Sequence, residues 1–276
     1  MQPLVNHLST SNQTESQCNW TRHDVVYGRD LSADTLAKAV ACVIVQARCP
    51  GTVYRKWLEA CAGTRQLTNI EKQELETYIK PSVGLRGAPA SDNQIQAVVA
   101  EHIWYELIRN ADSENGLPIN ITPPSLRVTE PGGDGLAVYK TGENTYIFRL
   151  WEIKKHTGNS SATSKITEAS KQLTTNGAEY LAKWSKVGQD IDHQYPDLSK
   201  FYATLVAMWL DADRKAHAGI SVSKDGSSRI TGTPIAIMKN HMPTFAADKQ
   251  LEGLIVSIPD FSVLAHKVRE ELWKGI

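Results

Sequence analysis

The sequence is poor in the features that mark secreted, membrane-spanning and thiol-dependent proteins. Its four cysteines, Cys18, Cys42, Cys49 and Cys61, form no CxxC pair, which argues against a disulfide framework or a zinc site. The first residues, MQPLVNHLSTSNQTESQ, lack the basic and apolar regions of a signal peptide. No apolar run approaches the roughly 18 residues of a membrane span. We therefore expect a cytoplasmic protein with reduced thiols and no membrane partner.

The chain also has no excess of either charge, and it lacks the common nucleotide-binding and hydrolase motifs. Lys plus Arg and Asp plus Glu both number 30, so the formal net charge is zero. Bulk charge therefore gives no support to nucleic-acid binding, which depends instead on a local basic face. The chain contains neither the GxxxxGKS motif of a P-loop nor the GxSxG motif of a nucleophile elbow.

The N-terminal third is predicted to be helical after a polar arm. Residues 1–19 are rich in Ser, Asn, Thr and Gln and indicate a loose arm or an edge segment. Helical patterns follow at 31–49, 52–63 and 68–80, with Ser32 or Asp34 as the first cap and Pro81 as the last stop. A Pro- and Gly-rich stretch, 81–93, is predicted to be a loop or linker. We expect an N-terminal arm and helical subdomain, 1–90, and a second domain, 91–276.

The second domain alternates helical and strand patterns. Asp92 or Asn93 caps a long helix, and a further helix is expected over 165–185. Strand patterns are expected at 125–130, 135–140, 145–154, 200–210, 218–225, 233–239 and 252–259, before a closing helix at 261–275. This order predicts an α/β or α+β fold, with a mixed β-sheet flanked by helices.

The strand in FRLWEIKKHTG, residues 148–158, carries charge at its carboxyl end. Because side chains alternate along a strand, Glu152 and Lys154 share a face with the apolar Phe148 and Leu150. The turn TGEN joins this strand to GLAVYK as an antiparallel hairpin. Asp134 and Glu152 are then about equally far from the turn, which places them in cross-strand contact.

Two facing carboxylates repel, and they normally need a proton or a cation between them. Oxygen ligands of this kind suit Mg²⁺ or Mn²⁺, which bind through one or two carboxylates, water and substrate phosphate. The adjacent Lys154 is placed to stabilise charge on a phosphate or to help orient and deprotonate a water. The residues therefore predict a metal-assisted phosphodiester hydrolase.

Asp134, a gap of 17 residues and Glu152-Ile153-Lys154 resemble the D…(D/E)xK signature of the PD-(D/E)xK nuclease superfamily. The resemblance implies a restriction-endonuclease-like fold and cleavage of DNA. It also implies that Glu101, on the preceding helix, assists Asp134 and Glu152 in binding the metal, and that Gln172, on the following helix, orients a ligand or phosphate. One departure is Gly133, which stands where the family often has a proline before the first aspartate.

The helical N-terminal region and the stretch WEIKKHTG more weakly resemble nuclease subunits of bacterial antiphage defence systems such as the Hachiman type, which partner a helicase. A restriction endonuclease is a comparable reading. Because the chain has no net positive charge, we expect a helicase or other ATPase partner, or a second copy of the chain in a homodimer, to complete the DNA-binding surface. Lys155, His156 and Lys165 are candidate nucleic-acid contacts around the site.

Less specific readings of the same residues stay open. Glu152 and Lys154 fit an exposed ion pair on an edge strand, and Asp134 fits an ordinary turn residue after two glycines. Glu106 competes with Glu101 for the site. The basic residues fit a solvated surface without a ligand. The second functional candidate is therefore a catalytically silent nucleic-acid-binding or protein-interaction module on the same fold.

Overall fold

The computed structural model describes residues 4, 8–15, 18–28, 31–110, 116–125, 134–158, 161–190, 196–230 and 234–276. Its centre is a mixed sheet of seven strands in the order β1-β2-β7-β6-β5-β4-β3. The strands are β1 (Leu8–Glu15), β2 (Cys18–Val25), β3 (Asn120–Ile121), β4 (Gly135–Gly142), β5 (Thr145–His156), β6 (Ala216–Asp225) and β7 (Leu251–Ile258).

The middle of the sheet is parallel and its two edges are antiparallel. Strands β2, β7, β6 and β5 pair in parallel, whereas β1 pairs antiparallel with β2, and β3 and β4 form antiparallel pairs leading to β5. The carboxyl ends of four strands therefore meet at one end of the sheet, where α/β proteins commonly form their sites.

Nine α-helices flank the sheet within the described residues. They are α1 (Ala33–Arg48), α2 (Gly51–Cys61), α3 (Asn69–Val83), α4 (Asp92–Asn110), α5 (Thr163–Asp190), α6 (Pro196–Ala203), α7 (Leu205–Leu210), α8 (Ile237–His241) and α9 (Phe261–Lys274). A short 3₁₀ turn, Pro234–Ala236, precedes α8.

Each face of the sheet has its own hydrophobic core. Helices α1 to α4 and α9 supply residues to the first core, which includes Trp104 and Trp151. Helices α5 to α8 cover the other face and its core, which includes Phe148 and Leu150. The alternation of side chains predicted for β5 is thus confirmed, because neighbouring residues of this strand enter opposite cores. The mixed α/β class is confirmed as well.

Local capping explains the boundaries of the first helices. Ser32 precedes α1 and its side chain accepts a hydrogen bond from the backbone N–H of Thr35, as predicted for one of the two candidate caps. Thr68 and Glu71 form a reciprocal capping box at the start of α3. The predicted stop at Pro81 is wrong, since α3 continues to Val83 and ends at Gly84, whose φ of 75° favours glycine.

Two predicted strands are helical instead. The apolar run 200–210 belongs to α6 and α7, and the described part of the other, 234–239, forms the 3₁₀ turn and the start of α8. The buried side chains of α6 and α7 have helical spacing, at Leu198, Phe201, Tyr202, Leu205 and Trp209. Composition suggested a buried strand, but this spacing was the better signal.

The first residues and the loop before the site differ from expectation in other ways. Within 1–19, β1 is the expected edge segment. The strand that follows, β2, pairs with both β1 and β7, and the sequence pattern did not reveal it. The strand predicted at 125–130 lies almost wholly outside the described residues, and β3 is the strand that pairs with β4. The predicted domain boundary near residue 90 stays a prediction, although α1 and α9 pack on each other.

Candidate active site at the carboxyl end of β5

The β4–β5 hairpin brings Asp134 to Glu152. In its register Gly135 pairs with Trp151 and Leu136 with Leu150, so the next position along places Asp134 opposite Glu152. The backbone N–H of Ile153 donates a hydrogen bond of 2.6 Å to Asp134 Oδ2. The cross-strand contact predicted from the turn is therefore confirmed.

Helix α4 approaches this hairpin closely because Gly135 has no side chain. A Cβ at that position would clash with the ring of Trp104 on α4. The Trp104 ring also packs against Trp151, with the ring centroids 6.0 Å apart. This packing places the middle of α4, which carries Glu101, beside the start of β4.

The structure brings the three predicted carboxylates together. Burial raises the pKa of Glu152, and repulsion from Asp134 raises it further. Burial likewise raises the pKa of Asp134, although the hydrogen bond from Ile153 opposes the shift. Burial, followed by repulsion from Asp134 and Glu152, raises the pKa of Glu101 to about 8. Glu152 senses Asp134, and Glu101 senses both of them, so the three carboxyls form one electrostatic group.

Glu101 rather than Glu106 belongs to that group. Glu106 accepts a hydrogen bond of 2.7 Å from Arg109 on its own helix, and burial raises its pKa without any contribution from Asp134 or Glu152. The choice that the resemblance implied between these two glutamates therefore agrees with their environments.

Lys154 lies between two carboxylates. Its Nζ is 2.9 Å from Glu152 Oε1 and 3.6 Å from Glu168 Oε1. Burial lowers the pKa of Lys154, but attraction to Glu152, Asp134 and Glu168 outweighs it and the net shift is upward. The lysine is thus held as an ammonium at the site, and it does not serve as a neutral base in this arrangement.

Two buried side-chain oxygens lack partners among the described residues, one in Glu152 and one in Gln172 on α5. Within the part of the chain that the structure describes, Glu152 Oε2 and Gln172 Oε1 have no hydrogen-bond partner. Repulsion from Asp134 adds to the raised pKa of Glu152, so a proton or a cation between the two carboxyls would be stabilising. A buried oxygen without a donor is costly unless a proton or cation supplies the missing charge.

These oxygens fit a hard cation, although the protein supplies only part of a coordination shell. Among the described residues, no three His, Cys, Asp or Glu side chains form a group able to hold a metal ion. Mg²⁺ commonly takes only one or two carboxylates and completes its octahedron with water and substrate phosphate. The unpartnered oxygens and the excess negative charge match that incomplete donor set.

The three candidate nucleic-acid contacts lie in different environments. Lys155 projects to the opposite face from Glu152 and its Nζ is 2.5 Å from Gln96 Oε1 on α4, so the structure does not bring it into the carboxylate group. His156 shares the face of Glu152 and is buried, with 7% exposure. Lys165 is 2.6 Å from Glu168 Oε2 on the surface of α5.

Arg48 affects the electrostatics of the site, and the sequence analysis did not identify it. Its guanidinium bonds to His102 Nε2 at 3.2 Å and to the carbonyl oxygen of Ser125 at 2.9 Å. Its positive charge opposes the upward shift of the Glu101 pKa. Arg48 ends α1, far from Glu101 in sequence, so only the packing of α1 on α4 could reveal this relation.

Comparisons with known proteins found no match, so a functional assignment rests on the residues described above. The chain matches no model of a known protein family, and the search of curated proteins found no match. No helix among the described residues is long and apolar enough to cross a membrane.

Proposed function

We propose that this protein is a metal-dependent nuclease that hydrolyses DNA phosphodiester bonds. The observation that carries the proposal is the buried Asp134–Glu152 pair, in which burial opposes ionisation of both carboxyls and the Lys154 ammonium lies alongside. Carboxylates that hold a divalent cation next to a fixed positive charge are suited to phosphoryl chemistry.

Asp134 and Glu152, assisted by Glu101, would hold Mg²⁺ or Mn²⁺. Such a cation supplies Lewis-acid activation of the phosphoryl group and favours deprotonation of water. Its charge would also replace the protons that burial now favours on these carboxyls. The two unpartnered oxygens, Glu152 Oε2 and Gln172 Oε1, support this assignment.

Lys154 and Gln172 have separate roles. Lys154 is kept as an ammonium by its acidic neighbours, so it would stabilise the negative charge that develops on the phosphate. Gln172 lies on α5 with its amide oxygen buried, and it would orient a ligand of the cation or a phosphate through its amide.

The order of elements supports the restriction-endonuclease-like fold that the motif implies. Helix α4 precedes the antiparallel strands β3 to β5, and α5 then leads to β6, which pairs in parallel with β5. Asp134 precedes β4 and Glu152 lies in β5, so the signature residues occupy the hairpin. The resemblance to the PD-(D/E)xK superfamily thus extends from the motif to the order of its surroundings.

Antiphage defence or restriction in the bacterial cytoplasm is the setting that we propose. The weak resemblance to Hachiman-type nuclease subunits favours a helicase or ATPase partner, and zero net charge is consistent with a partner or second copy that completes the DNA surface. An adjacent helicase gene would support defence, and an adjacent methyltransferase gene would support restriction.

A catalytically silent nucleic-acid-binding or protein-interaction module is the second candidate. It is favoured by the absence of a complete group of metal ligands among the described residues. DNA binding without cleavage under all metal conditions would support this candidate.

The test is cleavage of plasmid and linear DNA in Mg²⁺, Mn²⁺ or EDTA. We expect cleavage by the wild type with metal only, and none by Glu152→Ala or Lys154→Ala. Lys183→Ala, at an exposed position on α5, is the matched control and should cleave normally. Equal cleavage by wild type and both site variants would contradict the catalytic assignment.

A further inference from the structure

A chain of alternating charges connects the candidate active site to the surface of α5. Glu168 Oε2 lies 2.6 Å from Lys165 Nζ, and Glu168 Oε1 lies 3.6 Å from Lys154 Nζ. Lys154 also contacts Glu152 Oε1 at 2.9 Å. One carboxylate, Glu168, therefore contacts both lysines on this side of the site.

The outer pair, Glu168 and Lys165, is more exposed than the inner pair, Glu152 and Lys154. The exposed fraction of the side chain is 5% for Glu152, 16% for Lys154 and 46% for Glu168. A ligand that arrives from solvent would therefore meet Glu168 and Lys165 before it reaches Lys154. The order of these residues marks a route from the surface to the buried carboxylates.

We propose that Lys154 and Lys165 form a subsite for backbone phosphates of a nucleic-acid strand, and that Glu168 fills this subsite when no strand is bound. This inference deepens the proposed function and rests on it, because it takes the incoming anion to be a nucleic-acid phosphate. Glu168 is then an internal competitor that limits the affinity for nucleic acid.

The ion pairs of Glu168 with Lys154 and Lys165 can be displaced by a competing anion. Its hydrogen bond with Lys165 lowers the pKa of Glu168, and attraction to Lys154 adds to that shift, so the group is anionic near neutral pH. Partly exposed ion pairs contribute little to stability. A strand that offers several phosphates to the two lysines can therefore displace one carboxylate.

Neutralising Glu168 should tighten binding, because it frees the Lys165 ammonium, removes one of the two carboxylates that contact Lys154 and removes a negative charge from the path of the strand. We expect Glu168→Gln to bind DNA about 5- to 20-fold more tightly than wild type at low salt. The gain should shrink as salt rises, since the charges involved are partly exposed.

The experiment measures the dissociation constants of fluorescently labelled single-stranded and double-stranded DNA oligonucleotides by anisotropy, in EDTA to prevent cleavage. Glu179→Gln is the matched control, since it removes the same charge from an exposed position on the same helix. We expect its affinity to stay within about 2-fold of wild type. A general effect of net charge would change both variants equally and would overturn the subsite.

A double-mutant cycle with Lys165→Met sharpens the test. In wild type Lys165 is occupied by Glu168, so its loss should cost about 2-fold or less in affinity. In the Glu168→Gln background Lys165 is free to meet phosphate, so the same change should remove most of the gain. Equal costs of Lys165→Met in the two backgrounds would contradict the competitor role.

Binding in EDTA and cleavage in Mg²⁺ separate this inference from the proposed nuclease. Tighter binding by Glu168→Gln without any cleavage would support the subsite and argue against the nuclease. Cleavage by a protein whose Glu168→Gln variant binds no more tightly than Glu179→Gln would overturn the subsite alone. Failure of every variant to bind either oligonucleotide would overturn the subsite.

Discussion

Two groups of buried charges lie three residues apart on β5, and their environments differ. Arg149 forms an ion pair with Glu252, hydrogen-bonds to His217 Nδ1 at 3.1 Å and lies between the rings of Tyr139 and Trp151, at 6.0 and 5.8 Å from their centroids. Its charge is matched by a single carboxylate. The group therefore reads as a structural ion pair.

The second group combines Glu152, Asp134 and Glu101 with Lys154, so negative charge exceeds the charge of its direct cationic partner. Burial opposes ionisation of all three carboxyls, and Asp134 repels Glu152 and Glu101. Matched charge at Arg149 stabilises the sheet, whereas unmatched charge at Glu152 needs a proton or a cation. This difference is what directs attention to function.

The largest expected effect on activity is that of a substitution at Glu152. Glu152→Gln should lower metal-dependent DNA cleavage by about 100- to 10,000-fold because it removes a cation ligand. Its cost in stability should be smaller than that of Arg149→Met, because the amide oxygen can still accept from Lys154 and the repulsion from Asp134 is removed. Cleavage rates and urea unfolding of the same preparations test both expectations. A variant that unfolds far more easily than wild type would show that Glu152 is structural.

The reciprocal change is Arg149→Met. It should lower the free energy of unfolding by about 3–5 kcal/mol, since it leaves one partner of a buried ion pair without its counter-charge. Urea unfolding measures this loss. The folded fraction should retain cleavage, so a stable but inactive Arg149→Met protein would contradict the division between the two groups.

The smallest effect is a change in pH dependence at Glu101. Burial and its acidic neighbours raise the pKa of Glu101 to about 8 from its ordinary value of 4.5, so the folded state binds a proton that the unfolded state releases between these values. Wild-type stability should therefore fall as pH rises from 5 to 8. In Glu101→Gln this contribution is absent, and the difference should reach about 2–4 kcal/mol at pH 8.

Thermal unfolding of both proteins in EDTA at pH 5 and pH 8 measures this effect. The two melting temperatures should be close at pH 5, and Glu101→Gln should be the more stable at pH 8. A constant difference at the two pH values would mean that Glu101 does not hold a proton in the folded protein.

The sequence predicted the local part of the site well because that part is encoded by two short-range rules. Alternation along β5 separates Glu152 from Trp151, and the turn after β4 sets the register that places Asp134 opposite Glu152. Both rules act within about 20 residues of chain, so they can be applied without the rest of the fold.

The parts that the sequence could not predict depend on packing between distant segments. The influence of Arg48 on Glu101 requires α1 to pack near α4, and the parallel pairing of β2 with β7 joins opposite ends of the chain. The misassigned strand at 200–210 shows another limit. Its apolar composition fits a buried strand, but α6 and α7 satisfy the same burial by packing on α5.

Calorimetric titration of Mn²⁺ tests the central claim most directly, namely that Asp134 and Glu152 hold a divalent cation. The titration is run near pH 7 in two buffers of different ionisation enthalpy, with wild type, Arg149→Met and the Asp134→Asn/Glu152→Gln double variant. The account predicts that wild type and Arg149→Met bind Mn²⁺ with release of protons, because the cation replaces protons on buried carboxyls. It also predicts that the double variant does not bind. Equal Mn²⁺ binding by wild type and the double variant, or no binding by wild type in the presence of DNA, would contradict it.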